Sequence, residues 1–286
     1  MNNMKKETIK PIFIINNKVG RFCIYLLMAI GILMVFAPLL IVVNVSLKTN
    51  EEYMMSGVMS LPEHITNAGN YVRAFVEGNF ITGFANTAVL VLISVPVTII
   101  IASLVAYTLS RFNFRLRGLV YLAFLIPTFI PGMTVTIATF QVIKALGIYN
   151  TLMAGILLYI GTDIMQIYIF LQFINNVPVS LDESAMLDGA GRLKIYTSII
   201  LPQLKPAIAT TIILKLLGIY NDFFTPYMYM PKVRTVATSL YAFSGDKLAE
   251  WPLMSAAIVL VAVPTIIIYV FLQRHIISGV TDGAVK

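Results

Sequence analysis

Charge is what this chain has least of. Of its 286 residues only 12% are Asp, Glu, Lys or Arg, where a soluble domain carries about a quarter. Hydrophobic residues make up 58% and the mean hydropathy is +0.86, which excludes an ordinary soluble fold. Cysteine is nearly absent: Cys23 stands alone, can form no internal disulfide and says nothing about redox compartment. The two histidines, His64 and His275, lie in polar segments, so no His/Cys spacing suited to a metal exists. No Gly-x-x-x-x-Gly-Lys-Ser/Thr loop occurs to cradle a nucleotide phosphate. No nucleophile–base pairing can be argued either. Catalytic residues, cofactors and metal ligands are therefore expected to be none, and any fuel must enter through a partner. The net charge of +7 does not indicate nucleic acid, because the basic residues are spread through polar connections rather than gathered in one patch.

What the chain has instead is long apolar runs. A membrane-crossing helix needs about 20 apolar residues. Six stretches qualify, at about Phe22–Leu47, Phe84–Leu109, Gly118–Ile143, Leu152–Ile174, Gln203–Asp222 and Leu253–Gln273. The first is too long, and starts too late, for a cleaved signal peptide, and is expected to stay as an anchor. The expectation is an all-α membrane protein. A tail over 1–21 precedes a six-helix domain over 22–273, and a second tail covers 274–286. With the N-terminus inside, thirteen Lys and Arg flank the inner ends of the spans and six the outer ends. The excess of inside positive charge puts both termini in the cytoplasm of a multi-pass cell-membrane protein. The basic N-terminal tail would sit near anionic lipid headgroups.

One polar island interrupts the apolar sequence, between residues 178 and 202. Ser180-Leu181-Asp182-Glu183 reads as a capping box, with the Ser180 hydroxyl on an orphan amide and Glu183 reaching back. Gly189 supplies a stop, since it tolerates the left-handed backbone that ends helices. The pattern predicts a short helix from Leu181 to Asp188, a break, and a second helix.

Six residues of the island stand at fixed spacing: Glu183, Ala185, Gly189, Ile199, Leu201 and Pro202. This resembles the cytoplasmic "EAA" loop of the permease subunits of binding-protein-dependent ABC importers, with Ser184 where the first Ala of the pattern stands. Further stretches are similar to the carbohydrate branch of that family, especially its maltose-type second permease subunit. They are Ser46-Leu47-Lys48, Ala106-Tyr107 with Ser110-Arg111-Phe112, Gly147 with Asn150-Thr151, Tyr220-Asn221-Asp222, and Gln273-Arg274 followed by Gly279, Thr281 and Gly283-Ala284-Val285-Lys286. The resemblance runs over about residues 36–286.

The resemblance implies a type I ABC importer permease fold with a cytoplasmic coupling helix. It implies a sugar substrate, with an oligosaccharide as the best match. The implied partners are a second homologous permease subunit, a dimer of ATP-binding subunits that hydrolyse the ATP, and an extracellular solute-binding protein. ATPase coupling would fall to Glu183, Ser184, Ala185, Asp188, Gly189, Ala190 and Pro202, with a further contact from Gly279, Thr281, Gly283 and Lys286. A permease for a polyol or glycerol phosphate, an ion-coupled secondary transporter and a membrane scaffold are the alternatives. The scaffold leaves the motif a coincidence, and the secondary transporter lacks visible inverted repeats.

Charged and polar residues inside the spans mark candidate pathway positions: Asp163, Gln166, Lys215, Tyr220, Asn221 and Asp222. A mid-membrane charge is costly and usually faces the bundle interior with a partner. Asp163 lies about eleven residues from the inner end of its span and Lys215 about twelve, so at 1.5 Å per residue both are roughly 16–18 Å deep. The depth match predicts an Asp163–Lys215 ion pair; the alternative is that each faces a water-filled cavity. Pro127, Pro131 and Gly132 predict a kinked third span. The segment over 49–83 reads either as a solvated outer loop or, by resemblance, as a surface on the partner permease.

Overall fold

In a bilayer the backbone finds no water to bond, so apolar runs close their own hydrogen bonds and become helices. The structure, a computed structural model, describes residues 18–244 and 250–284, with side chains through 271. Among the described residues there are helices and no strand. The first helices are α1 (Lys18–Ser46), α2 (Asn50–Ser56), α3 (Gly69–Glu77) and α4 (Phe80–Arg111). Then come α5 (Arg117–Leu125), α6 (Gly132–Ala145), α7 (Leu152–Tyr159), α8 (Ile164–Asn176) and α9 (Val179–Leu187). The chain continues through α10 (Arg192–Ile195), α11 (Leu201–Gln203), α12 (Lys205–Asn221), α13 (Phe224–Tyr229), α14 (Val236–Tyr241) and α15 (Trp251–Ala284).

Three helices, α1, α4 and the 251–271 part of α15, are each long and apolar enough to cross a membrane. Three bent pairs raise the number to six if each pair is one span. The third expected span is broken rather than kinked: the two halves meet at 108°. Pro127 sits in a tight 3-10 turn over Ile126–Phe129 and Pro131 caps α6, so neither proline has to donate to a helical ladder. The fourth span breaks between α7 and α8 by 44°, and the piece over Arg192–Gln203 meets α12 at 76°. The expected end of the sixth span at Gln273 is passed, for the helical backbone runs on to Ala284.

At the centre stands α4, packed against α8, α12 and α7. Its inner face is small: Ser94, Thr98, Ala102 and Ala106, one turn apart, are buried. Small residues let helices approach closely where no hydrophobic effect drives them together. Phe170, Ile167 and Ile174 of α8 fill the other side of this core. A second cluster, Ala74, Phe80, Phe243, Leu253, Ala256 and Ala257, joins α3 and α4 to α15. By contrast α1 packs on α15 and leaves almost all its apolar side chains bare, as suits a lipid- or subunit-facing helix.

The Ser46-Leu47-Lys48 exit has a local cause. Lys48 is fully buried, and its ammonium donates to the Gly57 carbonyl (2.7 Å) and the Ser60 hydroxyl (2.6 Å). The Asn70 amide donates to the carbonyls of Ser46 and Lys48 at 2.9 and 2.7 Å, closing the end of α1. A buried charge is tolerable only when hydrogen-bonded in this way. Residues 49–83 thus hold α2 and α3 and are tied by these bonds to the end of α1.

Candidate functional site

The polar island folds into a short helix and a turn lying across the Arg111 end of α4. The helix, α9, starts two residues earlier than the capping box implies. Pro178 is its N-cap and supplies no side-chain bond, so Ser180 falls inside the first turn and caps nothing. Ser180 instead offers its carbonyl to the Ser184 hydroxyl at 2.8 Å. The reason is the Val177-Pro178 pair. Proline keeps the preceding residue extended, and its own fixed φ suits the start of a helix, so α9 begins directly after it. The stop is as expected. Gly189 has φ +79°. Gly189 N–H donates to Met186 O (3.0 Å) and Ala190 N–H to Ala185 O (2.9 Å), the two bonds of a Schellman ending.

α9 has two unlike sides. Asp182 and Ala185 are buried against the bundle. Glu183, Ser184, Met186, Leu187, Asp188 and Gly189 are exposed, Leu187 to 90%. Ala190 is half-buried, and Pro202 is exposed at the far end of the island.

Past Gly191 the chain climbs back through a π-helical turn over Tyr196–Ile200, directly ahead of Pro202. The wider turn fits a proline whose ring would clash with the carbonyl four residues back. Tyr196 in this turn rests on Tyr107 of α4 (centroids 5.3 Å apart) and shares a 2.7 Å hydrogen bond with Ser103. Arg192 lies over the Phe112 ring at 4.8 Å. In the sequence Arg111 stands out only within the Ser110-Arg111-Phe112 stretch and Asp182 only inside the Ser180-Leu181-Asp182-Glu183 pattern. They meet at 2.6 Å, and the Arg111 guanidinium also donates to the Val177 carbonyl at 2.7 Å. No local pattern announces a contact across 66 residues of sequence.

Midway along the bundle a cavity of about 280 Å³ is lined by Tyr159, Asp163, Met165, Gln166, Leu214, Lys215, Gly218, Ile219 and Asp222. The expected Asp163–Lys215 ion pair is absent: their charged groups are farther apart than 4.0 Å. Both serve the break between α7 and α8 instead. Asp163 is the N-cap of α8 and its Oδ1 accepts from Gln166 N–H at 3.0 Å. The Lys215 ammonium donates to the Gly161 carbonyl at 3.0 Å, and Thr98 donates to the Tyr159 carbonyl at 3.0 Å. Breaking a helix in lipid frees backbone groups that protein must satisfy, and these side chains do that. Equal depth brings Asp163 and Lys215 to one cavity, but the break gives each a backbone partner closer than the other charge.

Opposite the break, the Tyr159 hydroxyl donates to Asp222 Oδ2 at 2.9 Å, and Asp222 Oδ1 caps Thr225 N–H at 3.1 Å. Asp163, Gln166, Lys215 and Asp222 therefore share one cavity. Tyr220 and Asn221 do not join them. Tyr220 is buried toward α15 with its hydroxyl on the Val261 carbonyl, and the exposed Asn221 bonds back to Leu217 of its own helix. Of the C-terminal candidates, Gly279, Thr281 and Gly283 lie on the α15 backbone with side chains outside the described residues, and Lys286 lies outside them altogether.

The chain is similar in sequence and in fold to known proteins. The chain is 31% identical to the multiple sugar-binding transport system permease protein MsmG of Streptococcus mutans, over 99% of this chain and all of that one. It is 33% identical to the maltodextrin transport system permease protein MalD of Streptococcus pneumoniae, over 77% of this chain and 80% of that one. In fold it matches a chain of a bacterial ABC transporter involved in the import of the acidic polysaccharide alginate. The TM-score is 0.80 at 20% identity, covering 93% of this chain and 99% of that one. The family model for the inner membrane component of binding-protein-dependent transport systems matches residues 94–282, taking in the cavity, α9 and its ties to α4. This chain therefore belongs to the binding-protein-dependent transport system inner membrane component family.

Proposed function

We propose that this chain is one permease subunit of an ATP-driven sugar importer, with an oligosaccharide as cargo. It forms half of the translocation pathway with a second, similar permease. Its sequence carries no Gly-x-x-x-x-Gly-Lys-Ser/Thr loop, so a dimer of separate ATP-binding subunits supplies the energy and an external solute-binding protein delivers the sugar. The excess of Lys and Arg at the α9 end supports a cytoplasmic position for that end and for both termini.

One observation carries the coupling role: α9 buries Asp182 and Ala185 and turns Glu183, Ser184, Met186 and Leu187 outward. A nearly bare leucine beside a carboxylate on a capped, rigid two-turn helix suits insertion into a partner's groove. Closure of the ATPase dimer would move this helix and rock the bundle as a rigid body. Glu183, Ser184, Asp188 and Gly189 face the ATPase, Ala185, Ala190 and Pro202 fix the lever, and the 274–286 segment adds a second ATPase contact through Gly279, Thr281, Gly283 and Lys286. Asp163, Gln166, Lys215 and Asp222 line the sugar pathway, and Tyr220 and Asn221 shape its neighbouring wall. Sugar as cargo is supported by the names of the relatives and by this supply of hydroxyl-binding groups.

The test joins assembly with uptake. The chain should co-purify with an ATP-binding subunit and support ATP-dependent uptake, in proteoliposomes, of the sugar its binding protein holds. Gly189→Asp should stay in the membrane yet abolish that uptake, because a residue with a Cβ is strained at φ +79° and the lever loses its stop. Undiminished uptake by this variant counts against the lever, and a polyol or glycerol phosphate in the binding protein counts against the sugar.

A further inference from the structure

Arg111 has more company than a membrane-edge anchor needs. Its side chain is 10% exposed and that of Asp182 is 7% exposed. Nε approaches Asp182 Oδ2 at 2.6 Å while Nη2 donates to the Val177 carbonyl at 2.7 Å. One guanidinium thus holds both the exit from α8 and the first turn of α9. The neighbouring Ser110 hydroxyl donates to Asn175 Oδ1 at 2.7 Å. A little further along α4, Tyr107 stacks edge-on with Phe112 and leans on Tyr196, beyond α9 in the chain. The last turns of α4 therefore grip the polar island before and after α9.

From that grip α4 runs unbroken to Phe80, and Thr98 on its small-residue face caps the helix break beside the cavity. The other routes out of α9 are less direct. Along the chain, α8 leads into α9 through the Val177-Pro178 link, and α12 follows it through a π turn and a 76° bend. An exposed ion pair contributes little and exchanges with water. A buried one that loses a partner leaves a bare charge and is costly to break. So α9 cannot slide along α4 without exposing or stranding one of these charges.

We propose that Arg111 and Asp182 form a rigid clamp through which movement of α9 is passed to α4 and so to the cavity. Both are positioning residues, since neither need touch ATPase or sugar. The clamp rests on the reading of α9 as the coupling helix. Asp182, one residue before the motif glutamate, does a different job from Glu183: it faces inward and ties the lever to the bundle.

The experiment uses the whole importer, co-expressed with its partner subunits, with Cys23→Ser as background. A nitroxide is placed at Leu187 on the outer side of α9 or, separately, at Met165 on the cavity wall. Its line shape is compared without nucleotide and with ADP and vanadate. Both positions should respond in the otherwise unsubstituted complex. In Asp182→Asn the Leu187 response should persist, while the fraction of complexes responding at Met165 falls by about tenfold. The charge swap Arg111→Asp with Asp182→Arg should restore part of it. If Asp182→Asn does not assemble, Arg111→Lys carries the test, because it keeps the charge but cannot hold both Asp182 and the Val177 carbonyl. A full Met165 response in assembled Asp182→Asn or Arg111→Lys overturns the clamp alone. A Leu187 label that ignores nucleotide in the unsubstituted complex overturns the lever and the clamp together.

Discussion

Asp163 shows how a buried-looking charge can be misassigned. Counted along an apolar run it is an intramembrane acid in need of a cation; in the structure it is a helix cap. The two roles differ in what substitution does. Asn is as good a cap as Asp, whereas Ala costs about 1 kcal/mol. Asp163→Asn should therefore leave the apparent melting point of the purified protein nearly unchanged, and Asp163→Ala should lower it. Equal losses from both would restore a charge-based role. Thr98 makes the matching case from across the interface. Thr98→Val keeps the shape but strands the Tyr159 carbonyl, an expected loss of about 1–3 kcal/mol, again read as a lower melting point. Neither role is legible in the sequence, because a cap is recognised only once the helix is known to break. The broken span has no proline to announce it: its unwound residues, Ile160-Gly161-Thr162-Asp163, hold only one glycine.

At the scale of elements the polar island is the most legible part of the chain. Its stop at Gly189 comes from backbone chemistry alone, and the structure has it, whereas the π turn ahead of Pro202 appears only in the structure. Its start departs from the capping-box expectation because Ser-x-x-Glu is a cap only if nothing upstream begins the helix, and Pro178 does. The outward side of α9 is set by what its inward side meets, and that is Arg111. A paired consequence is measurable. Leu187→Asp should leave the isolated subunit as stable as before, since Leu187 is 90% exposed, yet weaken co-purification with the ATP-binding subunit. Loss of the subunit from the membrane would instead mean that Leu187 supports the fold.

For the whole molecule, six crossings require three pairs of bent helices to count as one span each. The proposed orientation then has a direct test. A cysteine replacing Leu187, in the Cys23→Ser background, should react with a membrane-impermeant maleimide only in inverted vesicles, and one replacing Leu61 only in intact cells. The reverse pattern would put α9 on the outer face and remove it from any ATPase. The sequence by itself determined the class of the protein, its six apolar stretches and the place where the polar island stops. Those depend on hydropathy and on a glycine whose effect acts within a few residues. Only tertiary structure decided which charges meet. Whether Asp163 faces Lys215 or an amide, and whether Arg111 faces lipid or Asp182, depends on breaks, bends and approach distances between helices far apart in the chain, and hydropathy carries no record of these.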